Sequence, residues 1–238
     1  MARLTDKGLS GRIGPVIYYE MNGKQYARSF PVFKKKRTAL KQKNVALLFG
    51  ICSRSATAAA SVLQAYLAFP FKAVNRFRGW MYKYYKLHHQ QSNWVLGHGF
   101  IPPFQLNTEA DLRDYLFVPI EIKGAQDGRL HIYVPAFNPV KQIMNPMRAA
   151  SATISIMVQG LPFGEQQECF SVVEKIAVGF SDTSSPASDL FFEHAAIQPA
   201  SVLMVTVALS FYRQNESLIT ETASLPAAVV AMGRAGEI

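Results

Sequence analysis

The chain has 238 residues, of which 49% are hydrophobic and 12% aromatic, and it carries a formal net charge of +9. A chain this long and this apolar can bury a core, which excludes a disordered protein. Residues 1–90 contain 17 Lys/Arg and two acids, whereas residues 91–238 contain eight Lys/Arg and 14 acids, and this split predicts two parts that face different partners, or each other.

The first predicted element is a β-hairpin with strands at Val16–Met21 and Lys24–Ser29. Asn22 and Gly23 lie between the strands, and Asn-Gly supplies the positive φ angles that a type I′ turn requires. An isolated two-stranded hairpin is marginal in water, so we expect this one to pack within the chain or on another chain. Close backbone packing is the predicted role of three preceding glycines: Gly8, Gly11 and Gly14.

Two helices are predicted after the hairpin. The first runs from about Ala39 to Leu67, with a break expected near Gly50–Ser55, and the second covers about Lys72–Gln91. Apolar residues of the second helix recur at steps of three and four residues and form one stripe. The members of this stripe are Val74, Phe77, Met81, Tyr84 or Tyr85, and His88. The apolar stretch Val45–Leu67 is interrupted by polar residues and is expected to fall short of a membrane span.

The remainder of the chain has a β pattern. We interpret Ser92–Asn107 as a linker, so that residues 1–107 form a basic hairpin-and-helix region and residues 108–238 form a second domain. The predicted fold is mainly β with an α-helical part (α+β), and the second domain is an immunoglobulin-like antiparallel β-sandwich. Its predicted strands are Leu116–Lys123, Arg129–Val134, Ala152–Gln159, Val172–Phe180, Leu190–Glu193, Val202–Tyr212 and Ala227–Met232.

No catalytic, cofactor or metal site is predicted, and no small-molecule substrate is evident. His88, His89 and His98 lack an acid or a cysteine nearby that would complete a ligand set. A hydrolase site around His194 stays open as an alternative, although no nucleophile motif accompanies it. The two cysteines, Cys52 and Cys169, are far apart and are expected to be small buried side chains.

The basic region gives three open interpretations: assembly, nucleic-acid binding or plain solvation. For assembly through the hairpin, the proposed interface residues are Tyr18, Tyr19, Tyr26, Arg28, Lys34, Lys35, Lys36 and Arg37. For nucleic acid, aromatic residues between cations favour stacking and phosphate contacts. The residues of that alternative are Lys34, Lys35, Lys36, Arg37, Lys41, Lys43, Arg76, Arg78, Lys83 and Lys86.

The N-terminal stretch resembles the opening of a bacterial family of unknown function. The matching positions are Gly11, Gly14, Gly23, Lys24, Tyr26, Arg28, Ser29 and Pro31, followed by Arg37, Thr38 and Gln42. The resemblance covers residues 8–50 and implies a C-terminal immunoglobulin-like β domain. It implies no enzyme activity, cofactor or catalytic residue.

Together these features predict a non-catalytic structural subunit that assembles with itself into a fibre, an appendage or a virion-like particle. Charge complementarity and open sheet edges would direct the assembly. The N-terminus lacks the apolar run of a secretory signal. We therefore expect synthesis in the cytoplasm, with export by another route, or assembly on a surface or virion, left open.

Overall fold

The computed structural model describes residues 3–5, 8–30, 40–67, 73–88, 95–96, 104–126, 129–145, 148–161, 169–193, 202–221 and 225–234. Its strands are β1 (Arg3–Thr5), β2 (Gly8–Ile13), β3 (Val16–Met21), β4 (Lys24–Ser29), β5 (Val95–Leu96), β6 (Phe104–Gln105), β7 (Glu121–Gln126), β8 (Arg129–Val134), β9 (Ser151–Leu161), β10 (Phe170–Gly179), β11 (Ser188–Glu193), β12 (Val202–Tyr212) and β13 (Ala227–Arg234). Its helices are α1 (Leu40–Leu67), α2 (Ala73–His88), α3 (Leu112–Tyr115) and α4 (Pro139–Gln142). The named strand pairs are antiparallel, and the predicted α+β class is confirmed.

The chain divides into two compact units, Met1–Lys43 and Asn44–Ile238. The first unit contains an antiparallel sheet with the strand order β1-β2-β3-β4. The predicted hairpin is confirmed at the predicted bounds, and the φ angles of Asn22 (53°) and Gly23 (73°) suit the expected turn. The sequence predicted neither β1 nor β2, and the glycines of β2 weaken its strand pattern.

The second unit contains two sheets that share one core. The larger has the order β10-β9-β12-β13, with β5 and β6 also paired to β13, and the smaller has the order β11-β8-β7. Alternate side chains of β9 and β12 pack with the inner side chains of β8, because successive residues of a strand point to opposite faces. The central members are Leu130, Ile132, Ile154, Ile156, Val205 and Val207.

The opposite face of the larger sheet is covered by α1 and α2. Met157, Met204 and Val229 of the sheet pack with side chains from both helices. Both faces of β12 are buried, because the helices cover the face that points away from the smaller sheet. Gln159 reaches into this layer, where its amide nitrogen donates to the carbonyl of Ala59 at 3.4 Å.

The helices also differ in detail from the prediction. The expected break near Gly50–Ser55 is wrong, because α1 continues from Leu40 to Leu67. Its interior hydroxyl groups bond back to the helix: Ser55 Oγ donates to the carbonyl of Ile51 at 3.2 Å, and Thr57 Oγ1 to that of Ser53 at 2.7 Å. Hydroxyl groups satisfied in this way need not end a helix.

The two-unit division differs from the boundary predicted between residues 107 and 108. Both helices share a core with the larger sheet, and β5 and β6, within the stretch interpreted as a linker, pair with β13. Within residues 108–238, the predicted second domain, the first strand of the smaller sheet begins at Glu121 rather than at the predicted Leu116. Leu116 instead forms an isolated bridge with Ile143, directly after the short α3, whose N-cap is Asp111.

Candidate functional site

One face of the N-terminal sheet combines aromatic and cationic side chains. Tyr19 lies directly opposite Tyr26, and Ile17 lies opposite both Arg28 and Arg12. Directly opposed residues of antiparallel strands share a face. We call this the aromatic–cationic face, and its members are Arg12, Ile17, Tyr19, Met21, Lys24, Tyr26 and Arg28.

Contacts between aromatic rings, and between rings and guanidinium groups, connect side chains of the N-terminal sheet. The rings of Tyr19 and Tyr26 stack with their centroids 5.7 Å apart. The Arg28 guanidinium carbon lies 5.7 Å from the Tyr19 ring centroid, and that of Arg12 lies 3.7 Å from the Phe30 ring centroid. Cations at these distances from rings are attracted by the ring quadrupole. The contacts therefore hold two guanidinium groups beside aromatic surface.

The aromatic–cationic face is open to solvent. Tyr26 is 38% exposed and Met21 is 52% exposed. The members named above include three cations and no acid, and Glu20 lies opposite Gln25 on the other face. Exposed Tyr and Arg beside apolar surface are the side chains most enriched at the centres of protein interfaces.

The predicted interface residues have different placements. Tyr19, Tyr26 and Arg28 come together on the aromatic–cationic face, whereas Tyr18 lies on the other face, opposite Ala27. Lys34, Lys35, Lys36 and Arg37 lie outside the described residues. Sequence reasoning missed Arg12, because its strand was not predicted.

Some residues of the nucleic-acid alternative are exposed, whereas others make contacts within the fold. Lys43, Lys83 and Lys86 are exposed, and the backbone of Lys41 belongs to α1. Arg76 donates to the carbonyl of Gln105 and lies 5.0 Å from the Phe104 ring. Arg78 Nη2 donates to Thr57 Oγ1 at 2.9 Å and so links α2 to α1. Arg76 and Arg78 therefore hold elements of the fold together.

The smaller sheet carries cross-strand polar pairs on its outer face. His131 and Asp189 share a hydrogen bond of 2.7 Å, and Arg129 pairs with Glu193 at 2.9 Å. Phe191 stacks on the His131 ring with centroids 4.4 Å apart. Pairs of this kind stabilise a sheet. Across the described residues no group of three or more His, Cys, Asp or Glu is placed to hold a metal ion.

The histidines singled out by the sequence are not described. His89, His98 and His194, and the side chain of His88, lie outside the described residues. Cys52 is buried as expected, whereas Cys169 is exposed.

Helix α1 contains the apolar stretch that the sequence places short of a membrane span. By length and composition alone, Lys43–Ala65 is long and apolar enough to cross a membrane. Core helices meet the same criterion, and Ala56, Ala59 and Leu63 in this stretch are fully buried. The criterion is therefore weak evidence for a membrane span.

No family model, no curated protein and no solved structure matches this chain.

Proposed function

We propose that this chain is a non-catalytic structural subunit that assembles with copies of itself into a fibre, an appendage or a virion-like particle. The observation that carries the proposal is the exposure of the N-terminal sheet: none of the described residues 8–30 is buried. Sheets gain most of their stability from burying at least one face. A neighbouring copy that covers this sheet would supply the missing burial.

The aromatic–cationic face is the surface that we expect to be covered. Its stacked Tyr19 and Tyr26 and its Arg28 have the chemistry of interface anchors. Residues 91–238 of a second copy carry a net charge of −6, from eight Lys/Arg and 14 Asp/Glu. A contact between the basic part of one copy and the acidic part of the next is heterologous, and such contacts build filaments or rings.

Open sheet edges offer a second contribution to assembly. Among the described strands, β10 is at one edge of the larger sheet and β4 is at one edge of the N-terminal sheet. Strand β10 pairs with β9 over ten residues without a bulge, so its outer edge is long and regular. Such an edge accepts a strand from another chain through its unpaired amides and carbonyls.

We further propose that strands β7–β13 form an immunoglobulin-like sandwich. Lettered in chain order, β7, β8 and β11 would be strands A, B and E, and β10, β9, β12 and β13 would be C′, C, F and G. The observed orders, β11-β8-β7 and β10-β9-β12-β13, then read E-B-A and C′-C-F-G. This is the arrangement of a sandwich whose fourth strand adds to the G-F-C sheet.

Membership of the bacterial family that the N-terminus resembles is also part of the proposal. The matching residues Gly23, Lys24, Tyr26, Arg28 and Ser29 occupy one turn and the strand that follows it. Lys24, Tyr26 and Arg28 share the aromatic–cationic face. Selection for a contact surface would explain why these alternate positions belong to one motif.

The experiment compares Tyr26→Ala with Tyr18→Ala. Both variants remove a tyrosine from the hairpin, but only Tyr26 lies on the aromatic–cationic face. We expect Tyr26→Ala to weaken self-association by about tenfold or more, as loss of an interface anchor does, and Tyr18→Ala to change it much less. Sedimentation velocity over a range of concentrations measures this, and negative-stain electron microscopy shows the particles.

Two results would contradict assembly through this face. The first is a monomer at every concentration, and the second is equal loss of association in both variants. Nuclease treatment separates the nucleic-acid alternative: particles that dissolve when a co-purified polyanion is digested would favour that alternative.

A further inference from the structure

The N-terminal part of α1 exposes large apolar side chains on two sides of the helix. Val45 is 47% exposed, Leu47 67% and Phe49 47%. The eight residues from Val45 to Cys52 include no charged or hydrogen-bonding side chain other than the thiol. Farther along the same helix, Ala56 and Leu63 are fully buried. Among the described side chains of α1, the exposed large apolar ones are therefore confined to this part of the helix.

The buried stripe of α1 continues into this exposed end. Cys52, Ala56, Ala59 and Leu63 follow steps of four and three residues and are fully buried, and the same steps lead back to Phe49 and Val45. Leu47 lies about 200° around the helix from Val45. A helix segment that is apolar on all sides is stable when something covers it.

The part of the second unit that contains α1 and α2 is basic. Residues 44–108 contain six Lys/Arg and no Asp or Glu. The Phe49 ring contacts that of Tyr82, with centroids 5.6 Å apart, so this end of α1 adjoins α2. Lys43 at the start of the apolar segment, and Lys83 and Lys86 in α2 after Tyr82, are exposed.

We infer that the Val45–Phe49 segment of α1 inserts into the surface of an anionic lipid bilayer. Apolar side chains that enter the acyl region, with lysines at the headgroups, are the features of an interfacial helix. The buried Ala56, Ala59 and Leu63 keep the remainder of α1 on the larger sheet.

Two other occupants fit these observations less well. A second copy of the same helix end would bring the exposed lysines of both copies together, which is repulsive. A nucleic acid would neutralise the lysines but would leave Val45 and Leu47 in water, since phosphates offer no apolar surface. A bilayer with anionic headgroups satisfies the charge and the apolar surface together.

The test is flotation of the full chain with vesicles of phosphatidylcholine alone or mixed with phosphatidylserine. We expect binding to the anionic vesicles, with weakening as salt is added. Leu47→Asp should lower the binding by about tenfold or more, because an inserted leucine is lost. Val140→Asp is the matched control, since Val140 in α4 is 60% exposed and lies outside this end, and it should bind like the wild type.

Several results would overturn the inference. These are no vesicle binding, equal binding to neutral and anionic vesicles, or an unchanged Leu47→Asp. Loss of self-association in Leu47→Asp without any vesicle binding would assign this end to a second copy, and binding to duplex DNA but not to vesicles would assign it to nucleic acid. Tyr26→Ala should leave vesicle binding intact, which separates this inference from the proposed assembly.

Discussion

Tyr18 and Tyr19 are adjacent in the chain but belong to different surfaces of the N-terminal sheet. Tyr19 stacks on Tyr26 beneath Arg28, whereas Tyr18 lies opposite Ala27 and Gly11. The hairpin pattern was enough to identify these residues as candidates. It could not identify the cationic side of the sheet, because Arg12 comes from a strand that the pattern did not predict.

A buried thiol gives a prediction at the scale of one residue. Burial raises the pKa of Cys52 from 9.0 to about 11. The unfolded chain therefore loses this proton at a lower pH than the folded chain does. We expect the contribution of Cys52 to stability to be complete below pH 9 and to fall as the pH rises from about 9 to about 11. Urea unfolding across this range measures it.

Cys52→Ala is the control, because it removes the titrating group and should flatten that part of the pH dependence. Thiol labelling adds an independent reading. Cys169 is exposed, although partial burial raises the pKa of its thiol, and at pH 8 it should react in the folded protein, whereas Cys52 should react only after unfolding. Rapid labelling of both thiols in the native protein would show that Cys52 is not buried.

The contact between β9 and β10 gives a prediction at the scale of elements. Gly160 lies directly opposite Phe170, and a Cβ atom at Gly160 would come within 2.1 Å of the Phe170 ring. The ring thus occupies the space that the glycine leaves. We expect Gly160→Ala to lower the free energy of unfolding by about 1–3 kcal/mol, the usual cost of overpacking, as measured by urea denaturation.

Gly79→Ala provides a matched control for that substitution. A Cβ atom at Gly79, in α2, would meet nothing within 4 Å. Because alanine favours a helix over glycine, Gly79→Ala should raise the free energy of unfolding by roughly 0.5–1 kcal/mol. A Gly160→Ala variant as stable as the wild type would mean that Phe170 does not pack over Gly160.

The elements that could be predicted are those whose ends are marked in the local sequence. Strands β3, β4, β8 and β12 have the predicted bounds, since turn residues or strong apolar runs delimit them. The short β5 and β6 are defined only by pairing with β13. The local sequence of β5 and β6 cannot indicate that they pair with β13, which lies more than one hundred residues later in the chain.

At the scale of the whole molecule, the helices complete the core of the second unit. The sequence suggested that α1 and α2 belong with the basic hairpin, because charge and composition change near residue 107. The larger sheet buries both of its faces, one against β8 and one against α1 and α2. The continuous apolar run of β12 is typical of a strand that is buried on both faces. A strand with one very apolar face has a similar sequence, so the run alone does not distinguish the two.

The central claim is that the N-terminal sheet is covered by another copy, and hydrogen–deuterium exchange of β3 and β4 at several protein concentrations tests it most directly. We expect their amides to exchange rapidly at low concentration and to become protected as particles form. Protection that is strong and independent of concentration, in a protein that stays monomeric, would contradict the claim, because the sheet would then be stable without a neighbour.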